Sequence, residues 1–528
     1  MKKYLSALAV LFLLFSCKKD ETKPTVPPQE NRVPQLVTNG ISGLSHFSVL
    51  LGGKITDSGS AAVSETGIVV DSFSSPTTSR NLNKFELKAN SNGSFSITAT
   101  YLPSHTRLYV RSYAVNKYGT GYGNEVVFSS LEDKIFQGDV TLTTQQQVID
   151  FGAGHYTTIN GGLTISGPVT DLTPLSGLTV INYAFEISNT LLTGFNGLDS
   201  LEISGAIFSS IVRIENNPNL INCKGLDKLA ESYGYFYLLN NASLASLDGL
   251  ENYQANYFGE FRIQNCPALQ NVNGLKNLLY VGGPFCIMDN ATLNDITGFS
   301  KLSVIAEKLL ISNNPSLQNL NGLEKIKSLP NGIELTNNTA LSDLQGIGNL
   351  DSIGGGPHGM GNIIIDGNIS LTSISAFSKI KTADYITIQN NKLLKDLQGL
   401  NNIQSVTNFL HVENNETLVD LSGLEKIASA DRVEVFSNGS MITLKGLEGL
   451  KKLGNDYSLN VRSNNSLQSL TGLENLQHAN GIVSIAYNPV LTEFCSLKQL
   501  ISLGYQNNLD IEKNLANPSR DEILTNCP

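Results

Sequence analysis

The sequence has no tryptophan, and its 528 residues include only six cysteines and four methionines. Charged residues make up 16% of the chain and leave a formal net charge of -10. This acidic balance, with no long Lys/Arg-rich run, argues against nucleic acid as a partner. The lack of tryptophan counts against a sugar-binding platform made of indole rings, although tyrosine and phenylalanine can take that role.

Motifs that would indicate catalysis or metal binding are also missing. The sequence contains no P-loop, no HExxH, no calcium loop of alternating aspartates and no nucleophile elbow. The six histidines are scattered without ligand spacing: His46, His105, His155, His358, His411 and His478. We therefore predict a protein that is not an enzyme and that needs no cofactor and no metal.

The first residues are those of an export signal. Lys2 and Lys3 precede an apolar run, residues 4–15, which is too short to cross a bilayer. The run ends in Leu-Phe-Ser-Cys, which resembles the lipobox of bacterial lipoproteins. The resemblance implies a signal peptide of residues 1–16 and lipidation of Cys17. A plain signal peptide with an incidental cysteine is the alternative.

The residues after Cys17 predict where the anchor lies. Lys-Lys-Asp-Glu at 18–21 resembles the surface-export signal of Bacteroidetes lipoproteins, which implies an outer-membrane protein exposed on the cell surface. Residues 17–32 contain three prolines and predict a disordered linker. The lipid anchor makes the membrane the first expected partner.

Residues 33–130 consist of short alternating apolar runs separated by Gly, Asn, Ser and Pro, a pattern typical of an antiparallel β-sandwich. The stretch YLPSHTRLYVRSYAVNKYGTGYGNEVVFSS resembles the end of the fibronectin type III-like domains of Bacteroidetes surface proteins. Such domains carry a corner tyrosine where this chain has Leu108. The resemblance implies a spacer or a binding platform, and we expect a spacer here.

The rest of the chain repeats the pattern N-x-x-L-x-x-L-x-G-L, mostly every 23 to 26 residues. Fourteen repeats can be aligned, and the positions three and five residues before the anchor asparagine are apolar from Asn217 onward. Two apolar positions with a period of two indicate a strand with one face in the core. The regular period predicts a solenoid with a long parallel sheet at residues 161–494.

The motif L-x-I-x-N-N-P-x-L, followed by G-L-x-x-L-x-x-I, resembles the receptor L domain, a right-handed, leucine-rich-repeat-like β-solenoid. The fold class is therefore mostly β, a sandwich followed by about fourteen solenoid rungs. We expect an N-terminal linker and cap at 131–160, with a Thr143–Gln146 capping box. The C-terminal cap is expected at 495–528, where Cys495 and Cys527 could pair in an oxidising compartment.

The anchor asparagines predict a structural ladder, because each amide can bond backbone groups of its own rung and of the next. The predicted members are Asn189, Asn217, Asn241, Asn290, Asn314, Asn338, Asn368, Asn391, Asn415, Asn438, Asn464 and Asn488. The two other anchors are Val169 and Cys266. Ligand contact is therefore expected elsewhere, on the outward face of the strands.

Two groups of outward residues are candidates for a ligand site. The first is an apolar patch, which could also be covered by another part of the protein. It comprises Tyr237, Leu239, Cys286, Met288 and Leu310. The second contains His411, Glu413, Glu434 and Arg462, where a carboxylate pair for glycoside hydrolysis is conceivable but a solvated charged surface is expected. The glycine-rich stretch 354–362 predicts a surface loop.

These features predict a surface-anchored binding or adhesion lipoprotein whose solenoid recognises an unknown protein or glycan. The alternative is a component that captures glycans or peptides for an outer-membrane uptake system. Both functions need a lipid anchor, a spacer and a long binding surface, so the sequence does not separate them.

Overall fold

The structure, a computed structural model, describes residues 31–44, 48–100, 102–103, 105–203, 210–355, 361–454 and 457–527. The predicted signal peptide, Cys17 and most of the predicted linker lie outside the described residues, as does the centre of the glycine-rich loop. Internal contacts divide the chain into two compact units, Met1–Glu132 and Asp133–Pro528.

The first unit has two antiparallel sheets. One contains the strands Gln35–Thr38, Ser48–Asp57 and Ser94–Thr100. The other contains Val63–Asp71, Asn83–Leu87, Arg107–Asn116, Gly119–Tyr122 and Val126–Ser129. Their core includes Val49, Ile68 and Leu108, which have no exposed surface. Leu108, where a corner tyrosine was expected, therefore fills core space.

The second unit is a parallel β-solenoid of about 15 turns, so the predicted fold class is confirmed. Among the described residues, one long sheet of 19 strands runs through all of it. Three of them are the short strands Ser429–Ala430, Lys452–Leu453 and His478–Ala479, and the other 16 are the main strands of the successive turns. These strands are Val140–Leu142, Leu163–Ser166, Phe185–Ser188, Ile211–Glu215, Tyr235–Leu239, Phe261–Gln264, Phe285–Met288, Leu309–Ser312, Ile333–Thr336, Asn362–Asp366, Thr382–Gln389, Ser405–Glu413, Arg432–Phe436, Leu459–Arg462, Val483–Ala486 and Leu509–Glu512.

Shorter elements complete each turn. Short strands form further parallel pairings: Ile135–Gln137, Thr158–Asn160, Val180–Ile181, Glu202–Ile203, Glu231–Ser232, Ala255–Asn256, Tyr280–Val281, Val304–Ile305, Ser328–Leu329, Ser352–Ile353, Ser429–Ala430, Lys452–Leu453 and His478–Ala479. The 3-10 helices are Thr173–Leu175, Asn273–Leu275, Thr297–Phe299, Gln345–Ile347, Ser375–Phe377 and Cys495–Leu497, and the α-helices are Gln145–Gly152, Lys498–Ser502 and Arg520–Asn526.

The core follows from the repeat. On the strand Leu309–Ser312, Leu309 and Ile311 point inward and are fully buried, and they pair in register with apolar residues of the adjacent turns. Leu317, Leu320 and Leu323 come from the following segment of the same turn and are also fully buried. Because every turn repeats these positions, the core is one continuous apolar cluster that no single turn could bury alone.

The ends of the solenoid lie further out than predicted. At the N-terminal end the long sheet already begins with Val140–Leu142, and the cap helix Gln145–Gly152 has Thr144 as its N-cap. The predicted Thr143–Gln146 capping box was therefore one residue out of register, since Thr143 instead donates its backbone N–H to the Gln147 Oε1 atom at 2.6 Å.

At the C-terminal end one more strand, Leu509–Glu512, precedes the cap helix Arg520–Asn526. Ser519 and Glu522 form a capping box at the start of that helix. Cys495 and Cys527 are joined by a disulfide with a Cα–Cα distance of 5.3 Å, which ties the last helix to the turn before it. The segment predicted only as a cap therefore also contains a solenoid turn.

Candidate functional site

The asparagine ladder lies at the corner that follows each strand of the long sheet. Asn314 is fully buried and shows the repeated geometry. Its Nδ2 donates to the Ile287 carbonyl of the preceding turn at 2.9 Å, and its Oδ1 accepts from the Asn290 backbone N–H at 3.1 Å. Each amide thus satisfies a buried donor and a buried acceptor of the turn before it.

Eleven of the twelve predicted asparagines make these bonds, and Asn189 does not. Asn189 is exposed, and Thr190 takes the ladder position instead, with its Oγ1 2.7 Å from the Asn217 Oδ1. The prediction at Asn189 was wrong because this repeat has one asparagine where most others have two, and that asparagine lies directly before the ladder position. The ladder also continues beyond the prediction to Asn514, whose Oδ1 accepts from the Asn488 backbone N–H at 3.0 Å.

A second row of residues, directly before the ladder, explains why many repeats contain two consecutive asparagines. The non-glycine residues of this row have a φ of +53° to +58°, the left-handed region that asparagine tolerates better than most residues. Its non-glycine members are Asn189, Asn216, Asn240, Asn265, Asp289, Asn313, Asn337, Asn390, Asn414, Ser437, Ser463, Tyr487 and Lys513. The doubled asparagine was a signal for this row that the sequence analysis missed.

The predicted apolar patch does not form a continuous exposed surface. Cys286 and Leu310 pair in register but are only 1% and 9% exposed. Tyr237, Leu239 and Met288 are half-buried. The strand Phe261–Gln264, with outward Arg262 and Gln264, separates the tyrosine end from the cysteine end.

Glu260 lies at the centre of this region and was not predicted, because it directly precedes the strand. Its carboxylate accepts from Arg262 at 2.6 Å, from the Cys286 thiol at 3.0 Å and from the Tyr237 hydroxyl at 3.2 Å. Burial alone would raise the pKa of Glu260, but these donors outweigh it and lower the pKa. The region is thus a satisfied polar cluster with an apolar margin.

The second outward group belongs to a longer row that we call the polar strip. It consists of His411, Glu434, Asn460, Ser484 and Asp510, which pair in register on five adjacent strands. Their neighbours in sequence point into the core, so these side chains point away from it. The first four are nevertheless only 5–9% exposed.

His411 is held between two carboxylates. Its Nδ1 lies 3.0 Å from the Glu434 Oε2, and its Nε2 lies 2.9 Å from the Glu413 Oε2. Burial alone would lower the pKa of His411, but the hydrogen bonds to Glu434 and Glu413 outweigh it and raise the pKa. The imidazolium form is therefore favoured at this position.

Glu434 also binds Arg432, the first residue of its strand. Burial would raise the pKa of Glu434, but the hydrogen bond from His411 and the charge of Arg432 lower it. A general acid for glycoside hydrolysis needs a raised pKa. The lowered pKa of Glu434 thus gives no support to the conceivable carboxylate pair with Glu413.

Within the part of the chain that the structure describes, three buried polar atoms beside and within the strip have no hydrogen-bond partner: the Arg432 Nε, the Asn460 Oδ1 and the Arg462 Nε. Asn460 lies between Glu434 and Ser484 in the sheet, and Arg462 lies on the same strand as Asn460. An unpaired buried polar group costs about 1–3 kcal/mol. Such groups are uncommon in folded proteins. Among the described residues three more lie on other turns, at the Arg213 Nε, the Asn331 Oδ1 and the Asn362 Oδ1, so half of the unpaired atoms fall on these two adjacent strands.

Aromatic rings lie along both margins of the strip. On one margin the Arg432 guanidinium is 5.2 Å from the Phe409 ring centre and 5.8 Å from that of Tyr457. On the other margin, the Arg462 guanidinium is 5.6 Å from the ring centre of Tyr487. Tyr457 and Tyr487 are 50% and 44% exposed. The strip is thus a polar surface between planar apolar groups.

Tyr487 occupies a strained backbone position. Its φ is +58°, where most other turns have asparagine or aspartate. A bulky residue in the left-handed region costs on the order of 1–3 kcal/mol, and such outliers cluster at functional sites. The strain at Tyr487 therefore points to the same region as the unpaired atoms.

The His411 cluster predicts a pH-dependent contribution to stability. Because the folded pKa of His411 is raised above 6.5, its contribution is complete below that pH and is lost as the pH rises through the folded pKa. We expect His411→Gln to lower the free energy of unfolding by about 1–3 kcal/mol at pH 5.5 and by less at pH 9. Urea unfolding at both pH values measures this.

A control for that experiment is His478→Gln, which removes an exposed imidazole from the same solenoid. The His411→Gln defect must exceed the control defect at pH 5.5. A defect that is equal at both pH values, or larger at pH 9, would contradict the assigned ion pair. Because the folded pKa of Glu434 is lowered below 4.5, its own contribution is complete above that pH and is lost as the pH falls through the folded pKa.

Within the part of the chain that the structure describes, no helix has the length and apolar character needed to span a bilayer. Three acidic and sulfur-bearing residues of the C-terminal cap come within metal-binding distance of one another, but two of them are the disulfide-bonded Cys495 and Cys527.

No family model, no curated protein and no solved structure matches this chain.

Proposed function

We propose that this chain is a cell-surface lipoprotein that binds a ligand on the outward face of its long sheet and catalyses no reaction. The observation that carries the proposal is the polar strip with its margins, where, among the described residues, buried polar atoms of Arg432, Asn460 and Arg462 lack partners on a face that points away from the core. A bound ligand would supply those partners. The ladder asparagines serve the scaffold, since their amides are used within the solenoid.

The scaffold suits recognition. Every strand of the long sheet is held in register by its neighbours and by the corner ladder, so outward side chains keep fixed positions. Binding sites placed on rigid strands lose little conformational entropy when a ligand binds. The lowered pKa of Glu434 favours a binding role for this carboxylate over proton transfer.

The location is part of the same proposal. Cys17 would carry the lipid anchor in the outer membrane, residues 17–32 would act as a linker, and the sandwich would be a fibronectin type III-like spacer for a receptor L domain-like solenoid. The disulfide between Cys495 and Cys527 supports this, because structural disulfides persist in oxidising compartments. Incorporation of labelled fatty acid that Cys17→Ala abolishes would test the anchor.

Capture of glycans or peptides for an uptake system remains the second candidate function. It would use the same surface, so the two candidates differ in what happens to the ligand afterwards. Deleting the gene and measuring growth on the identified ligand as sole carbon source separates them. A growth defect favours capture, and unchanged growth with reduced surface attachment favours adhesion.

The binding proposal is tested with the Cys17→Ala chain on arrays of glycans and peptides. Two double variants probe separate parts of the outward face. Tyr237→Lys with Met288→Lys alters the predicted patch, and Asn460→Lys with Ser484→Lys alters the polar strip. We expect a ligand whose binding is lost in one of the two. A ligand that binds both variants as well as the unaltered chain would overturn binding on this face.

A further inference from the structure

Deepening the proposed function and resting on it, we propose that the polar strip binds an acidic oligosaccharide, with its carboxylates at Arg432 and Arg462 and its hydroxyls along the strip. The ligand class follows from the groups that lack partners. The Nε atoms of Arg432 and Arg462 are donors that need an oxygen, and the Asn460 Oδ1 is an acceptor that needs a hydroxyl or N–H.

The carboxylate is assigned from the chemistry of arginine. A guanidinium binds carboxylates through two parallel N–H donors, and such charge-assisted bonds are the stronger ones. Arg432 already uses one terminal nitrogen for Glu434, but its side chain is 42% exposed and its Nε has no partner. Arg462 has an aromatic ring of Tyr487 against its guanidinium and an unpaired Nε. Both arginines thus have unused donors.

The sugar is assigned from the floor and the margins of the strip. The floor offers imidazole, carboxylate, amide and hydroxyl groups, which match a ligand covered with hydroxyls. On the margins, the exposed ring of Tyr457 offers a flat apolar face for the C–H face of a sugar ring. The exposed ring of Tyr487 can stack on a sugar only beside the Lys513 ammonium, which lies 4.5 Å from its ring centre. Four strand steps of ~4.8 Å make the strip ~19 Å long, enough for several sugar rings.

An acidic peptide fits this surface less well. Extended peptides gain affinity by adding to an exposed sheet edge or by placing apolar side chains in pockets. The strands Arg432–Phe436 and Leu459–Arg462 are paired with neighbours on both sides, so their main-chain groups are used within the sheet. The floor of the strip is polar. Both features favour a glycan.

The strained Tyr487 offers a variant that separates binding from folding. Most other turns have asparagine or aspartate at this corner position, so Tyr487→Asn relieves backbone strain and removes the ring against Arg462. We expect this variant to be at least as stable as the unaltered chain and yet to bind the oligosaccharide about tenfold more weakly. A misfolded variant cannot produce that combination.

The test measures binding of the Cys17→Ala chain by isothermal titration calorimetry. The probes are oligogalacturonate, oligomannuronate, a hyaluronan oligosaccharide, a neutral cello-oligosaccharide and oligoglutamate. We expect at least one of the three acidic oligosaccharides to bind, with an affinity that falls as salt is raised. Arg462→Gln and Arg432→Gln should each raise its Kd about tenfold or more, which is about 1.4 kcal/mol.

Arg262→Gln is the matched control. Arg262 lies on the same outward face and pairs with a glutamate two residues away, as Arg432 does, but belongs to a distant turn. The Kd of the Arg262→Gln variant for the acidic oligosaccharide should equal that of the unaltered chain. Equal loss in all three arginine variants would overturn the assignment to the strip.

The remaining outcomes also decide the matter. Equal binding of the neutral probe would overturn the carboxylate assignment, and binding of oligoglutamate alone would overturn the glycan in favour of an acidic peptide. Binding of none of the acidic oligosaccharides overturns the inference as a whole. The proposed function is tested separately by the arrays. It fails only if the ligand found there binds equally well to the variants altered on the outward face.

Discussion

Replacing Asn314 with leucine is expected to lower the free energy of unfolding of the solenoid by about 3–6 kcal/mol. The change removes the partner that Asn314 provides to three groups: the Asn290 backbone N–H, the Asn290 Nδ2 and the Ile287 carbonyl. Each such buried group costs about 1–3 kcal/mol. Leucine fills the space but bonds none of them, so packing does not compensate. Urea unfolding followed by circular dichroism measures the loss.

Asn321→Leu is the control, since Asn321 lies in the same turn and is exposed. The two substitutions have the same chemistry and differ only in the site. If Asn314→Leu unfolds at the same urea concentration as the control, the ladder does not stabilise the corner. Hydrogen exchange adds a local readout: protection should fall at residues 287–290 and their neighbours before it falls at distant turns.

The fold was predictable because the same physical need recurs in every turn. A strand such as Leu309–Ser312 must bury two side chains, the corner must satisfy its backbone groups, and the leucines after it must fill the core. Each need fixes a residue type at a fixed spacing, which makes the period visible in one sequence. The ends were less predictable, since Thr144 and Asn514 perform the same tasks outside the repeated pattern.

The candidate site was predictable only in part, because its properties depend on neighbours across strands. Alternation within the strand placed His411 and Glu434 on the outward face, but their 3.0 Å contact joins residues 23 positions apart on adjacent strands. Glu260 illustrates the same difficulty, as it reaches Cys286 across a strand pairing. A single sequence shows which residues share a row, but it does not show which of their atoms remain unpaired.

The two rows at the corner link the scaffold to the strip. Along most of the solenoid, asparagine or aspartate occupies the left-handed corner position, as Asn313 does. In the last four turns, beside the strip, this position holds Ser437, Ser463, Tyr487 and Lys513. Serine, tyrosine and lysine are less suited to that backbone than asparagine. These turns also carry the unpaired atoms of Arg432, Asn460 and Arg462 and the exposed rings of Tyr457 and Tyr487.

Gly446→Ala is expected to destabilise the solenoid by about 3–6 kcal/mol. Gly446 has a φ of +107°, and an added Cβ would lie 2.0 Å from the Leu421 carbonyl oxygen of the preceding turn. The backbone strain and the close contact each cost on the order of 1–3 kcal/mol. Because the opposing atoms are backbone, no change of side-chain rotamer relieves the contact, and the two turns must separate.

The same turn provides a matched control in Gly439, where an added Cβ would meet nothing within 4 Å. Gly439→Ala should unfold in urea within about 1 kcal/mol of the unaltered chain. If Gly446→Ala is as stable as Gly439→Ala, neighbouring turns are not packed backbone against backbone. If it is destabilised as expected, the regular spacing between turns, which also sets the separation of Glu434, Asn460 and Ser484, depends on Gly446. Ligand binding at the strip should then weaken in Gly446→Ala even under conditions where the chain remains folded.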